Sequence, residues 1–156
     1  MMKVLKSLLL LVVMLLTAGE ISAQIKDPTT WKVTAIRKFG NKFEIFFNVK
    51  LAPNWHIYAL DPGGDGSSIA PSFTFAPNKN IKLVGKMRET TRPTEEVMDG
   101  IDGKMRFFSG EATFVQEVEV LGTAVVKVNG KHEYQVCTDQ MCLPPKTKAF
   151  SVSIKP

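Results

Sequence analysis

The sequence is poor in the side chains that most often carry chemistry. Its 156 residues include two cysteines, two histidines, two tyrosines and two tryptophans. It has no G-x-S-x-G elbow, no H-E-x-x-H pair and no glycine-rich loop opening a helix, which argues against hydrolases and nucleotide-binding enzymes of those types. "DGIDGK" (99–104) lacks the glutamate that would close a calcium loop, and reads as a turn. The 20 basic residues are interspersed with 15 acidic ones and form no stripe with aromatics, so the net charge of +5 describes a solvated surface and no nucleic-acid partner. Beyond the first two dozen residues there is no long apolar run, no amphipathic helix longer than a turn or two, and no internal repeat.

What is present begins with an address. "MMKVLK" supplies two lysines, "SLLLLVVMLLTA" an apolar stretch and "GEISA" small residues, the order of a secretory signal peptide. The apolar stretch is shorter than the roughly 20 residues that span a bilayer. Residues 1–23 are therefore expected to be a cleaved leader, and 24–156 a single exported domain with no stable membrane insertion. That remainder is long enough for one hydrophobic core.

Most of this domain alternates with period two. In "KFEIFFNVKL", Phe43, Ile45, Phe47, Val49 and Leu51 share one face, the pattern of a half-buried strand. "WKVTAIRK" (31–38), "SFTFA" (72–76), "NIKLVG" (80–85), "ATFVQEVEVL" (112–121), "AVVKV" (124–128), "HEYQVC" (132–137) and "AFSVSI" (149–154) read likewise. Turns are expected at "FGNK" (39–42), "PGGDG" (62–66) and "VNGK" (128–131), where Asn129-Gly130 is a strong hairpin signal. Residues 60–72 and 88–107 fit no strand and read as long loops, of the length that is usually functional or disordered. About eight short strands define an all-β chain, an immunoglobulin-like antiparallel β-sandwich, with a small barrel second.

The two cysteines, Cys137 and Cys142, lie together in "YQVCTDQMCLPPKTKAF" (134–150), too close in sequence to bridge two sheets. As a staple they close so short a loop that the chain-entropy gain is only roughly 2 kcal/mol. As half of a metal site they need His56 and His132, but neither spacing fits, and His132 is expected to be solvent-exposed on its strand. As a dithiol they stand at the end of a strand where another protein can reach them, and strained or exposed disulfides tend to be reducible. Asp139, and Asp99 if its loop folds over, disfavour a thiolate there, while Lys146 and Lys148 favour it. The acids are expected to dominate. Pro144 and Pro145 end the strand and stiffen the loop.

The same segment resembles the end of the amino-terminal periplasmic domain of DsbD-type thiol:disulfide interchange proteins, through "YQ-x-C…C-x-PP-x-T". "APNWHIYALDPGGDGSSIAPSFTF" and "DGIDGKMRFFSGEATFVQEV" resemble the family's aromatic strand and its cap region. The resemblance implies an immunoglobulin-like sandwich with a redox-active Cys137–Cys142 disulfide and no other cofactor. Cys142 is the implied exposed sulfur that forms mixed disulfides, and Cys137 its resolving partner. His56 and Tyr58 fall beside the pair, Asp99 at an acidic position, and Ile101 near the cap, with Met98 an alternative. The implied activity is relay of two electrons from a thioredoxin-like donor, itself served by a separate transmembrane reductant transporter. The implied acceptors are oxidised periplasmic proteins, such as disulfide isomerases or cytochrome-maturation thioredoxins. The competing reading is an exported immunoglobulin-like binding module whose cysteines only close a hairpin.

Overall fold

A computed structural model describes residues 27–97 and 100–156. The expected leader, and Met98 and Asp99, lie outside these residues. The described chain contains eleven strands: β1 (Thr29–Phe39), β2 (Lys42–Leu51), β3 (His56–Gly63), β4 (Ser72–Phe75), β5 (Ile81–Glu89), β6 (Thr94–Val97), β7 (Lys104–Ser109), β8 (Glu111–Val120), β9 (Val126–Tyr134), β10 (Val136–Cys137) and β11 (Lys146–Ile154). They form three antiparallel sheets, ordered β1-β2-β8-β5, β10-β3-β7-β6 and β11-β9-β4. Chain β9 runs on into β10 across Gln135, so the second and third sheets are joined by almost continuous backbone.

The core follows from the alternation. Strand β2 buries Phe43, Ile45, Phe47, Val49 and Leu51, as its period demands. Its partner β8 sets Val118, Phe114 and Ala112 opposite Phe43, Phe47 and Val49. The facing layers contribute Ile57 and Phe108, then Val126, Val128, Tyr134, Phe150 and Ile154, to the same cluster. Two antiparallel layers enclosing one apolar interior make this an immunoglobulin-like β-sandwich.

Three expectations need correction. Asn129-Gly130 is not a hairpin turn. Both residues sit inside β9, with Asn129 opposite Ser151 and Gly130 opposite Phe150 and Phe75. Alternation runs unbroken through Val126, Val128, Gly130, His132 and Tyr134, and non-local pairing on both sides of β9 overrides the local turn preference. Glycine is needed there for a different reason: a Cβ at Gly130 would collide with the Thr74 carbonyl oxygen and the Phe150 ring.

His132 is not exposed. It is 2% accessible and lies 4.4 Å, ring centre to ring centre, from Trp31. Finally, residues 88–107 are not one loop. They carry the end of β5, all of β6 and the start of β7, while β3 extends into the glycine-rich stretch as far as Gly63. These strands lack clean alternation because β7 is buried on both faces and β6 is exposed throughout.

Candidate functional site

The second sheet separates two environments. On one face Ile57, Phe108 and Val136 enter the main core. On the other, Tyr58, Met105, Phe107 and Cys137 form a smaller buried cluster, against which Ile101 packs. Because β7 places Met105 and Phe107 on this face and Phe108 on the other, both sides of the sheet are apolar.

Cys137 ends β10, the edge strand of that sheet, directly opposite His56 of β3. On its other side it pairs with Cys142 as an antiparallel bridge, with Cα atoms 4.0 Å apart, and the two sulfurs are joined. The connecting loop is tied down from both ends. The Thr138 N–H donates to the Met141 carbonyl at 2.8 Å, and the Leu143 N–H donates to the Val136 carbonyl at 2.9 Å. Within the loop the Thr138 hydroxyl accepts from the N–H groups of Gln140 (3.3 Å) and Met141 (3.2 Å), the local bonding that makes threonine a turn former. The Gln135 side-chain amide donates to the Leu143 carbonyl at 3.0 Å. Pro144 and Pro145, which have no N–H to offer a ladder, follow before β11 begins.

The two sulfurs are not equivalent. Cys137 is 1% accessible, whereas Cys142 is exposed beside Met141, itself 52% accessible. An open groove of about 590 Å³ runs along the bond, lined by His56, Tyr58, Glu96, Ile101, Asp139 and Cys142 together with Thr138, Gln140 and Met141. Five of the residues singled out from the sequence thus meet at the sixth, Cys137. Asp99 lies outside the described residues.

Two groove charges among the described residues are carboxylates, Asp139 and Glu96. Lys146 and Lys148 do not line the groove. Their ammonium groups pair with Asp27 Oδ2, at 3.5 and 2.6 Å, which corrects the expectation that they act on the sulfurs. His56 is 5% accessible, its Nε2 is buried without a hydrogen-bond partner, and its ring lies 4.9 Å from Phe107 and 5.5 Å from Tyr58. Burial holds its basicity below that of an ordinary histidine, with Asp139 and Glu96 pulling in the opposite direction.

Glu96, Met105 and Phe107 were not anticipated. Glu96 sits in an edge strand that is exposed on both faces, so no burial period betrays it. The adjacent pair Phe107-Phe108 is the one signal that β7 is covered on both sides. His132 belongs to the aromatic core around Trp31 and Tyr134 and not to the cysteine face. Among the described residues no three His, Cys, Asp or Glu side chains converge as a metal cage.

Fold and site together define an immunoglobulin-like β-sandwich domain with a disulfide at a sheet edge, one sulfur covered and the other open to solvent. The chain belongs to the family described as "Thiol:disulfide interchange protein DsbD, N-terminal", whose model matches residues 23–154. Its fold is similar to the N-terminal periplasmic domain of ScsB from Proteus mirabilis, with a TM-score of 0.59 and 21% identity over 88% of this chain. The chain spans 50% of the length of that ScsB chain. It is also similar to the DsbD N-terminal domain of Neisseria meningitidis in its reduced form, with a TM-score of 0.55 and 15% identity, over 83% of this chain and 87% of that one. A third similar structure is the complex between the DsbD and PilB N-terminal domains of Neisseria meningitidis, with a TM-score of 0.53 and 13% identity, over 82% of this chain and 87% of that one. At these identities the likeness is one of fold. No curated protein matches the chain.

Proposed function

We propose that this domain relays electron pairs in the periplasm by exchanging the Cys137–Cys142 disulfide with thioredoxin-like proteins. The observation that carries the reading is the asymmetry of the two sulfurs: Cys142 is open to an incoming thiolate, and Cys137 is packed behind it. Membership of the interchange family supports it.

In the loading half-reaction, a thiolate of the reduced donor attacks Sγ of Cys142. The intramolecular bond breaks, a mixed disulfide forms, and Cys137 departs as a thiolate that takes up a proton. The donor's second thiolate then attacks its own bonded sulfur, releasing Cys142. The donor leaves oxidised and the domain holds two electrons and two protons. Unloading reverses the order. Cys142 attacks an acceptor disulfide, and Cys137 attacks Cys142 to expel the reduced acceptor. The first attack needs exposure and the second needs proximity, which is how the two cysteines are disposed. The donor is a thioredoxin-like domain supplied by a transmembrane reductant transporter, and the acceptors are oxidised exported proteins. No organic cofactor takes part.

The reduction potential tests the reading. An exchange protein is expected to lie between about −120 and −270 mV, the range spanned by known dithiol relays, whereas a value well below about −300 mV makes the bond an inert staple.

A further inference from the structure

Directly opposed residues of antiparallel strands project side by side from the same face, with Cβ atoms about 4.5–5.5 Å apart. His56 and Cys137 are such a pair. The imidazole is covered, at 5% accessibility, and its Nε2 is buried with no hydrogen-bond partner. A buried polar atom left unpaired is costly, and native structures seldom retain one without a use. While the disulfide is closed, the Cys137 sulfur carries no proton and has nothing to give. Reduction creates a thiol on the residue that faces His56 across the ladder.

We infer that His56 is the proton acceptor for Cys137 during the step that resolves the mixed disulfide. This rests on the exchange reading above. A thiolate at Cys137 is disfavoured by the apolar side chains of Tyr58, Met105 and Phe107 around it. A neighbouring imidazole offsets this by becoming imidazolium as the thiol ionises. The charged and titratable groups facing His56 are consistent with that role. Asp139 from the loop after β10 and Glu96 from β6 stabilise the imidazolium, while Tyr58 on β3 and Ser109 opposite it on β7 add no cation.

The step balances. The Cys137 thiol passes its proton to His56, and the resulting thiolate attacks Sγ of Cys142. The Cys137–Cys142 bond forms as the bond from Cys142 to the acceptor sulfur breaks. The electron pair leaves on the acceptor thiolate, which takes a proton from water, and the imidazolium returns its proton to the groove. Two electrons pass to the acceptor over the two attacks.

Three measurements test the inference. In the unsubstituted protein, the His56 ring is titrated by nuclear magnetic resonance in the oxidised and reduced forms. The expected result is a several-fold fall in its proton affinity on reduction, because the new Cys137 thiol donates to the neutral ring and favours that form. Equal affinity in both forms overturns the inference.

The second uses Cys142→Ser, which leaves Cys137 as the single thiol. Adding His56→Gln to it is expected to move thiolate formation to higher pH by a similar factor, and an unmoved titration overturns the inference. In the third, the intact dithiol is oxidised with glutathione disulfide. His56→Gln should prolong the Cys142–glutathione intermediate about tenfold, while the rate at which that intermediate forms stays as it was. Slowing of both steps equally, with the ring titration unchanged, also overturns it. Failure of the exchange reading looks different: the domain would react with glutathione but with no thioredoxin-like protein, and the ring titration would still stand.

Discussion

The Tyr134 hydroxyl donates to Asp27 Oδ2 at 2.7 Å, joining residues that lie 107 positions apart. The same carboxylate accepts from the N–H and hydroxyl of Thr29, at 3.1 and 2.8 Å, and pairs with Lys148 and Lys146. One acidic side chain thereby ties the start of β1 to β9 and β11. It also occupies the two lysines nearest in sequence to the cysteine hairpin, and the disulfide groove is left with its carboxylates.

Burial alone would raise the Asp27 pKa, but hydrogen bonds from Lys148, Tyr134 and Thr29 outweigh it and hold the carboxyl well below the usual range. The stability this gives is fully present above about pH 4, the unfolded value, and is lost as pH falls toward the depressed folded value. Asp27→Ala is expected to cost about 2 kcal/mol at pH 7, the scale of charged hydrogen bonds removed from a covered site. Urea unfolding should show this deficit steady from pH 7 to 5 and shrinking below pH 4.

His132 acts in a different window. Burial first, and then the charge of Lys148, lower its pKa to about 4, with Asp27 opposing. Both ring nitrogens are buried without partners. Because the folded state resists a proton that the unfolded chain accepts, stability falls as pH drops from about 6.5 to about 4. The expected loss is roughly 2–3 kcal/mol across that interval. His132→Phe, which suits a site lined by Trp31, Phe73 and Phe150, should remove this part of the slope. A variant whose urea midpoint keeps the parent's slope between pH 6.5 and 4 would count against the assignment.

Gly130→Ala is expected to destabilise the sandwich by about 2–3 kcal/mol, since the new methyl meets backbone at Thr74 and the ring of Phe150. Thermal unfolding measures this. Disulfide exchange by the folded fraction should be unaffected, because Gly130 lies in the third sheet and the cysteines at the edge of the second.

Thr138→Ala removes the hydroxyl that accepts from Gln140 and Met141. The loop then holds the two thiols together less firmly, so the disulfide should be reduced more easily. A weakening of about 1 kcal/mol corresponds to a rise of roughly 20 mV in reduction potential, measurable against a glutathione buffer. No rise would mean that the backbone bridges alone set the loop.

How much of this was legible beforehand differs from one element to another. Strand β2 could be read residue by residue, because one of its faces is buried and the other is not. The cysteine hairpin was legible because its closure is local. Strand β9 is hidden in the sequence, since Asn129-Gly130 carries a strong short-range turn preference and only the distant strands β4 and β11 hold it straight. Glu96 and His132 were missed or misplaced for related reasons. An edge strand carries no apolar period, and a histidine on an alternating strand reads as solvated unless its neighbours in space are known. The groove is built by juxtaposing β3, β6 and the hairpin loop, and that assembly is a property of topology.

The central claim is that an exposed and a covered sulfur have distinct duties. It is tested most directly by mixing reduced Cys137→Ser, and separately reduced Cys142→Ser, with an oxidised thioredoxin-like protein and resolving the products under non-reducing conditions. The account predicts a stable covalent adduct through Cys142 when Cys137 is substituted, and little or none through Cys137 when Cys142 is substituted. Absence of any adduct, or equal adducts from both variants, would contradict it.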